Sequence, residues 1–318
     1  MKARFQSGLA DELEAFLDFK RAMGFRYERQ EGTLVSLDRH LQKQRNVYRT
    51  PFQRLIESWL AKRSSRKAIS VAVDLQVIRQ FCLFRRRKDP TAFVPGVDWA
   101  PPVQESHFVP HIFTASDIKL MVRACSSLTP WAQYNRGIRM LLLVLYCTGM
   151  RFGEVARLQL ADLDMGRRVI RIRNSKGRTR LVPFRQDLAR ELAVYLKDQA
   201  AEIQRPEAPL FLTRTGKPHS TKTISHGLRS LMRKTGLKWQ PGRQGPRPYD
   251  LRHTFAVHRL TRWYRQGRPL EERLPWLSVF MGHADILGTE SYLTCTPELM
   301  SLTAKRFKAR FDRKSRFR

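Results

Sequence analysis

Leu141-Leu-Leu-Val-Leu-Tyr-Cys-Thr-Gly-Met-Arg-Phe-Gly-Glu-Val-Ala-Arg-Leu158 is the most informative stretch of the chain. Its first half reads as an apolar helix ending at Thr148-Gly149, because glycine enters the left-handed turn that closes a helix without a Cβ clash. A second helix then starts with Arg151 in its first turn. A guanidinium beside the unpaired N–H groups of a helix start suits a phosphate. Alone this signal is weak, since an arginine at a helix start is most often structural or turned to solvent.

A second stretch repeats the arrangement. In Arg247-Pro-Tyr-Asp-Leu-Arg-His-Thr-Phe-Ala-Val-His-Arg-Leu260, Pro248 breaks the chain, Asp250 is the expected N-cap and Arg252 falls in the opening turn. Two such arginines can clamp the two non-bridging oxygens of one phosphodiester. His253 and His258 read as core or groove side chains, because their spacing does not match the i, i+4 pattern of a helical zinc site. Between the two arginines, Val169-Ile-Arg-Ile-Arg173 alternates apolar and basic residues, Asn174-Ser-Lys-Gly177 is turn chemistry, and Leu181-Val182 resumes the extended pattern. This predicts a β-hairpin with Lys176 at its tip. Downstream, Leu277-Ser-Val-Phe-Met-Gly-His-Ala-Asp-Ile-Leu-Gly-Thr-Glu-Ser-Tyr-Leu293 closes an apolar helix at Gly282, with His283 next and Tyr292 in a short following segment. A lone tyrosine is usually a packing residue. The order Arg, Lys, Arg, His, Tyr makes that bland reading hard to keep.

The whole chain has 318 residues, with 60 Lys and Arg against 28 Asp and Glu, a formal charge of +32. A charge of this size calls for a polyanionic partner, and nucleic acid is the commonest. The N-terminal residues lack the apolar core of a secretory signal, and the longest apolar run, Met140 to Cys147, is too short to span a bilayer. Cys82, Cys125, Cys147 and Cys295 are scattered, without zinc-type pairing or a dense disulfide framework. A cytoplasmic protein without a membrane partner is expected.

Apolar residues at three- and four-residue steps predict four helices in the first hundred residues, including one that starts at Pro51. Their basic edges, at Arg45, Arg49, Lys62, Arg63, Arg66, Lys67 and Arg85 to Lys88, either wrap a duplex or form solvated faces. The prolines between Asp89 and Pro110 forbid a regular helix and read as a linker. A second domain is expected from about Phe113, its first helix capped by Thr114 or Ser116. The expected division is residues 1–88, a helical DNA-binding domain; 89–111, a linker; 112–300, a catalytic domain; and 301–318, a basic tail.

Taken together, the motifs resemble those of the tyrosine recombinases, the phage-integrase type of site-specific DNA recombinase. Thr148 to Glu154 is similar to the family's first arginine box, Ser175 to Gly177 to its hairpin lysine, and Asp250 to Ala256 to its second arginine box. Met281 to His283, followed by Tyr292, resembles the nucleophile region. The likeness spans roughly residues 112–300, whereas the N-terminal helices match only in size, position and basicity.

The resemblance implies a mainly α fold with a small β-sheet or hairpin. It further implies a SAM-like core-binding domain and an α+β catalytic domain that close as a C-clamp around DNA. In this reading Tyr292 is the nucleophile that forms a 3′-phosphotyrosyl bond. Arg151 and Arg252 hold the phosphoryl oxygens, Lys176 protonates the departing 5′-oxygen and His283 hydrogen-bonds the phosphate. Neither metal, cofactor nor ATP is implied. The implied partners are double-stranded DNA and other recombinase subunits, in a homo- or hetero-tetramer with or without companion recombinases. The implied role is integration, excision or transposition of a mobile element. Its alternative is a catalytically weakened DNA-binding accessory protein.

Two departures stand out. Tyr249 occupies the position where the family's second box usually begins with histidine. A phenol, with a pKa near ~10, is a poorer proton acceptor at neutral pH than imidazole. The stretch Trp263 to Trp276 is longer than the usual connection and reads as an insertion near DNA or a partner subunit.

Overall fold

The computed structural model describes residues 4–44, 49–103, 109–175, 178–197, 205–213, 217–239, 245–283, 285–290 and 292–293. Lys176, Arg45, Cys295 and the basic tail lie outside the described residues. The chain divides into two compact units, Met1–His107 and Phe108–Arg318.

The first unit holds the four expected helices, α1 (Ala10–Ala22), α2 (Glu28–Gln42), α3 (Phe52–Ala61) and α4 (Ala68–Arg85). Their apolar stripes meet in one core around Leu13, Phe16, Leu37, Trp59, Ile78 and Phe81. Phe93, Val94 and Trp99, within the Pro-rich segment, pack against this same core. The basic edges are of two kinds. Arg63 stacks on the Trp59 ring and pairs with Asp74, and Arg85 pairs with Glu12, so both serve the unit internally. Lys62, Lys67, Arg86, Arg87 and Lys88 are exposed.

In the second unit Thr114 caps α5 (Ala115–Ala124) through a reciprocal capping box with Asp117. The apolar run forms α6 (Ala132–Thr148), which closes at Gly149 with φ 61°. Arg151 is the N-cap of the one-turn helix α7 (Phe152–Val155). A three-stranded antiparallel sheet follows, β1 (Leu163–Asp164), β2 (Val169–Ser175) and β3 (Arg178–Pro183), in the order β1-β2-β3. Helices α8 (Gln186–Lys197) and α9 (Thr221–Lys234) complete a core centred on Leu141, Leu142, Val144, Ile170, Val182 and Leu228.

A separate apolar cluster joins α10 (Asp250–Arg265), α11 (Leu270–Met281) and α12 (Leu287–Glu290) through Phe255, Leu260, Leu277, Met281 and Tyr292. Tyr249, not Asp250, precedes α10 as its N-cap residue; the Asp250 carboxylate instead accepts the backbone N–H and guanidinium of Arg247, which closes the turn before the helix. Trp263 to Trp276 is regular structure for most of its length. It comprises the end of α10, a turn at Gly267 with φ 73°, and the first half of α11 after Pro269. Among the described residues no helix is long and apolar enough to cross a membrane.

Gly149 serves both the turn and the packing, because a Cβ there would lie 2.4 Å from the Phe255 ring. Gly149→Ala is expected to cost at least about 1–2 kcal/mol from the left-handed backbone alone, read as a lower urea midpoint at unchanged slope.

Candidate active site

Two helix-closing turns and the start of α10 bring the sequence-predicted arginines together. Arg252 is buried, 3% exposed, and donates to the carbonyls of Gly149 (2.6 Å) and Met281 (2.9 Å). It thereby ties α10 to the last turn of α6 and the last turn of α11. Arg151 donates one amino group to the Gly282 carbonyl at 2.7 Å and the other to Glu154 Oε1 at 2.9 Å. Both arginines therefore bind carbonyls of the same short segment, Met281-Gly282.

Glu154 is the centre of this arrangement. Its carboxylate also accepts the Arg151 backbone N–H at 2.9 Å, the Ser175 hydroxyl at the end of β2, and both amino groups of Arg180 at 2.9 and 2.8 Å. Arg180 continues to α11, donating from Nε to the Phe280 carbonyl at 2.9 Å. Neither Glu154 nor Arg180 was singled out from the sequence, although both left a trace there. Glu154 stands three residues after the residue at the N-cap, the capping-box position. Arg180 shares the inward parity of Val182 on β3, whereas Leu181 between them is 62% exposed.

His283 follows the left-handed Gly282 directly, and its Nδ1 lies 2.6 Å from the Thr289 hydroxyl. The Tyr292 ring stacks on His283, with centroids 6.0 Å apart, and meets the edge of His253 at 5.4 Å. Tyr292 is 4% exposed and near enough to Arg252 to influence its charge. Tyr249 sits at the site's edge, 41% exposed, its ring 6.2 Å from Phe152 and 5.5 Å from His253. One unit of a single chain thus gathers Arg151, Arg252, His283 and Tyr292, with Tyr249 beside them.

A model of the phage integrase family matches residues 111–298, which span every one of these side chains. The chain belongs to that family. It is a tyrosine-type site-specific recombinase. It is 29% identical over 312 residues to a Sinorhizobium fredii protein named as an integrase/recombinase, y4rB, covering 94% of this chain and 97% of the relative. Against the tyrosine recombinase XerC of Lacticaseibacillus casei it is 29% identical over 231 residues, 71% of this chain and 72% of that one. Its fold is similar to that of the Tn1549 transposon integrase in complex with a circular intermediate DNA, with a TM-score of 0.63 at 16% identity over 93% of this chain and 99% of that chain. The XerH recombinase bound to a palindromic difH substrate gives a TM-score of 0.65 at 14% identity, over 87% of this chain and 78% of that chain.

In this recombinase the site's electrostatics follow from burial and pairing. Burial pushes the Glu154 carboxyl upward, but the hydrogen bonds from Arg180, Ser175 and the Arg151 backbone more than offset it and hold the group at about 2. Burial, and then the neighbouring Arg151 charge, lower the Arg252 pKa, with Tyr249, Tyr292 and Glu154 acting the other way. Burial also lowers the His253 pKa, which favours the neutral ring. Among the described residues, burial raises the Cys82 and Cys125 thiols to about 12 and the Cys147 thiol to about 11, which disfavours their thiolates.

Because the folded Glu154 titrates near 2 instead of 4.5, its contribution to stability is complete above about pH 4.5 and is lost as the pH falls toward 2. Glu154→Gln should flatten the pH dependence of unfolding across that window; a slope equal to wild type would detach Glu154 from acid stability.

Proposed function

We propose that this chain cuts and rejoins DNA through a covalent 3′-phosphotyrosyl intermediate, serving the integration, excision or transposition of a mobile element. The observation that carries the reading is the convergence of Arg151, Arg252, His283 and Tyr292 in one chain. The near end-to-end match to an integrase/recombinase supports the mobile-element role. A net charge of +32 supports a duplex as the substrate, with the exposed lysines and arginines of the first unit as sequence-independent backbone contacts.

In the proposed reaction the Tyr292 phenol releases its proton to solvent, its oxygen attacks phosphorus and the bond to the 5′-oxygen breaks. Arg151 and Arg252 bind the non-bridging oxygens and offset the charge that builds in the pentavalent transition state. Lys176, next in sequence after Ser175, gives its proton to the departing 5′-oxygen. His283, held by Thr289, hydrogen-bonds the same phosphate. The covalent linkage conserves the energy of the broken bond, so an incoming 5′-hydroxyl reseals the strand without ATP. Pairing of two duplexes by four subunits completes the strand exchange, with the 301–318 tail as a further contact.

A nicked duplex bearing the site that the protein selects from a randomised DNA library tests this reading. Wild type should accumulate a protein–DNA adduct on denaturing gels. Tyr292→Phe should abolish the adduct and leave duplex binding in place. Arg151→Ala and Arg252→Lys should slow adduct formation by about 10²-fold or more, the cost of losing a transition-state donor, with a much smaller change in affinity. Absence of an adduct from wild type on its selected site would move the accessory reading ahead.

Tyr249 is exposed enough to meet DNA, yet its phenol is a weak base. Tyr249→His is expected to leave cleavage unchanged or raise it. A collapse of the adduct in that variant would give the phenol a required role.

A further inference from the structure

Three guanidinium groups and one carboxylate meet in the site, and the distribution of that charge is uneven. Glu154 is the carboxylate partner of both Arg151 and Arg180, at 2.9 and 2.8 Å, and its side chain is 1% exposed. Arg252 donates to the backbone carbonyls of Gly149 and Met281. Arg180 itself is covered, its side chain 10% exposed, with both amino groups on Glu154 and Nε on the Phe280 carbonyl. Three of its N–H donors point inward and its side chain is covered, so it is not placed to bind DNA directly. Arg151 has only one bond to Glu154 from its amino groups and keeps N–H groups to spare.

We propose that Arg180 is a positioning residue that neutralises Glu154, so that Arg151 keeps its full charge for the scissile phosphate. The inference rests on the reading of Arg151 as a phosphate ligand. With Arg180 present, the three arginines and Glu154 carry a net charge of two. That equals the charge of a phosphodiester joined to an attacking phenolate, spread over its non-bridging oxygens. Without Arg180, the buried carboxylate keeps only Arg151 as a cationic partner, beside the neutral Ser175 hydroxyl and the Arg151 backbone N–H, so the Arg151–Glu154 pair becomes neutral toward the phosphate. Arg180 also joins three segments at one point: β3, which follows the Lys176 hairpin; α7, which carries Glu154; and the end of α11, which leads into His283. A Cβ on Gly282 would lie 2.6 Å from the Arg180 amino group, so glycine there leaves room for the guanidinium to dock.

The test is single-turnover adduct formation on the same nicked duplex, in wild type, Arg180→Met, Arg180→Lys, Glu154→Gln and the Arg180→Met/Glu154→Gln double variant. Arg180→Met should slow the adduct by about 10²-fold, as for loss of one transition-state donor, with duplex affinity nearly intact. Removing the carboxylate as well should restore most of that loss, to within about tenfold of wild type, a strongly non-additive cycle. Arg180→Lys, which keeps the charge, should stay well above Arg180→Met. A purely structural role for the bond to Phe280 predicts no rescue, because that bond is missing in the double variant too. Wild-type rates in Arg180→Met, or a double variant no faster than Arg180→Met, overturn the proposal. Arg151→Ala is measured alongside: if it cleaves at the wild-type rate, the phosphate-ligand reading of Arg151 has failed instead. Should Arg180→Met not fold, the Arg180→Lys rate decides, and a rate near zero on a folded Arg180→Lys protein overturns the charge argument.

Discussion

A single buried carboxylate, Glu154, holds the second unit's chemistry in register. It takes hydrogen bonds from α7, from the end of β2 and from β3. The arginines it binds continue to the carbonyls of Phe280 and Gly282 at the end of α11. A buried ion pair usually adds little net stability, because desolvation of both partners offsets their attraction, whereas deleting one partner costs about 3–5 kcal/mol. The cluster is therefore better accounted for by orientation than by stability. It fixes where Arg151 points and ties α7 and β3 to the end of α11, just ahead of His283.

The second constraint is geometric. Gly149 and Gly282 both adopt the left-handed conformation, with φ of 61° and 69°, and both release carbonyls or neighbours to an arginine. Each turn ends a helix whose last carbonyls lack intrahelical partners. Arg252 and Arg151 satisfy some of those carbonyls, so the residues that read as phosphate ligands also seal helix ends. Phosphate binding and folding thus draw on the same guanidinium groups, which is why Lys is a more informative substitution than Ala at Arg252.

Much of the site was legible in the residues themselves. Gly149, Gly282 and the Arg151 turn follow from short-range backbone rules, and the β2–β3 hairpin follows from alternation and turn chemistry. Thr114 was one of two candidate caps, and it is the one that bonds Asp117. One local expectation needed correction. Asp250 turned back onto Arg247 instead of capping α10, because an aspartate can bond the residue three before it as readily as the helix ahead. Trp263 to Trp276 folded as two helix ends joined at Gly267 and Pro269.

The sequence by itself determined the types of the reactive side chains, their order and the turns that present them, since each depends on neighbours a few residues away. Only the tertiary structure decided which charges face one another. Glu154 meets Arg180 across 26 residues, and Arg151 meets Gly282 across 131. Pairings at such separations are set by how helices and strands pack, and a linear pattern of basic residues carries no record of which one is buried against Glu154.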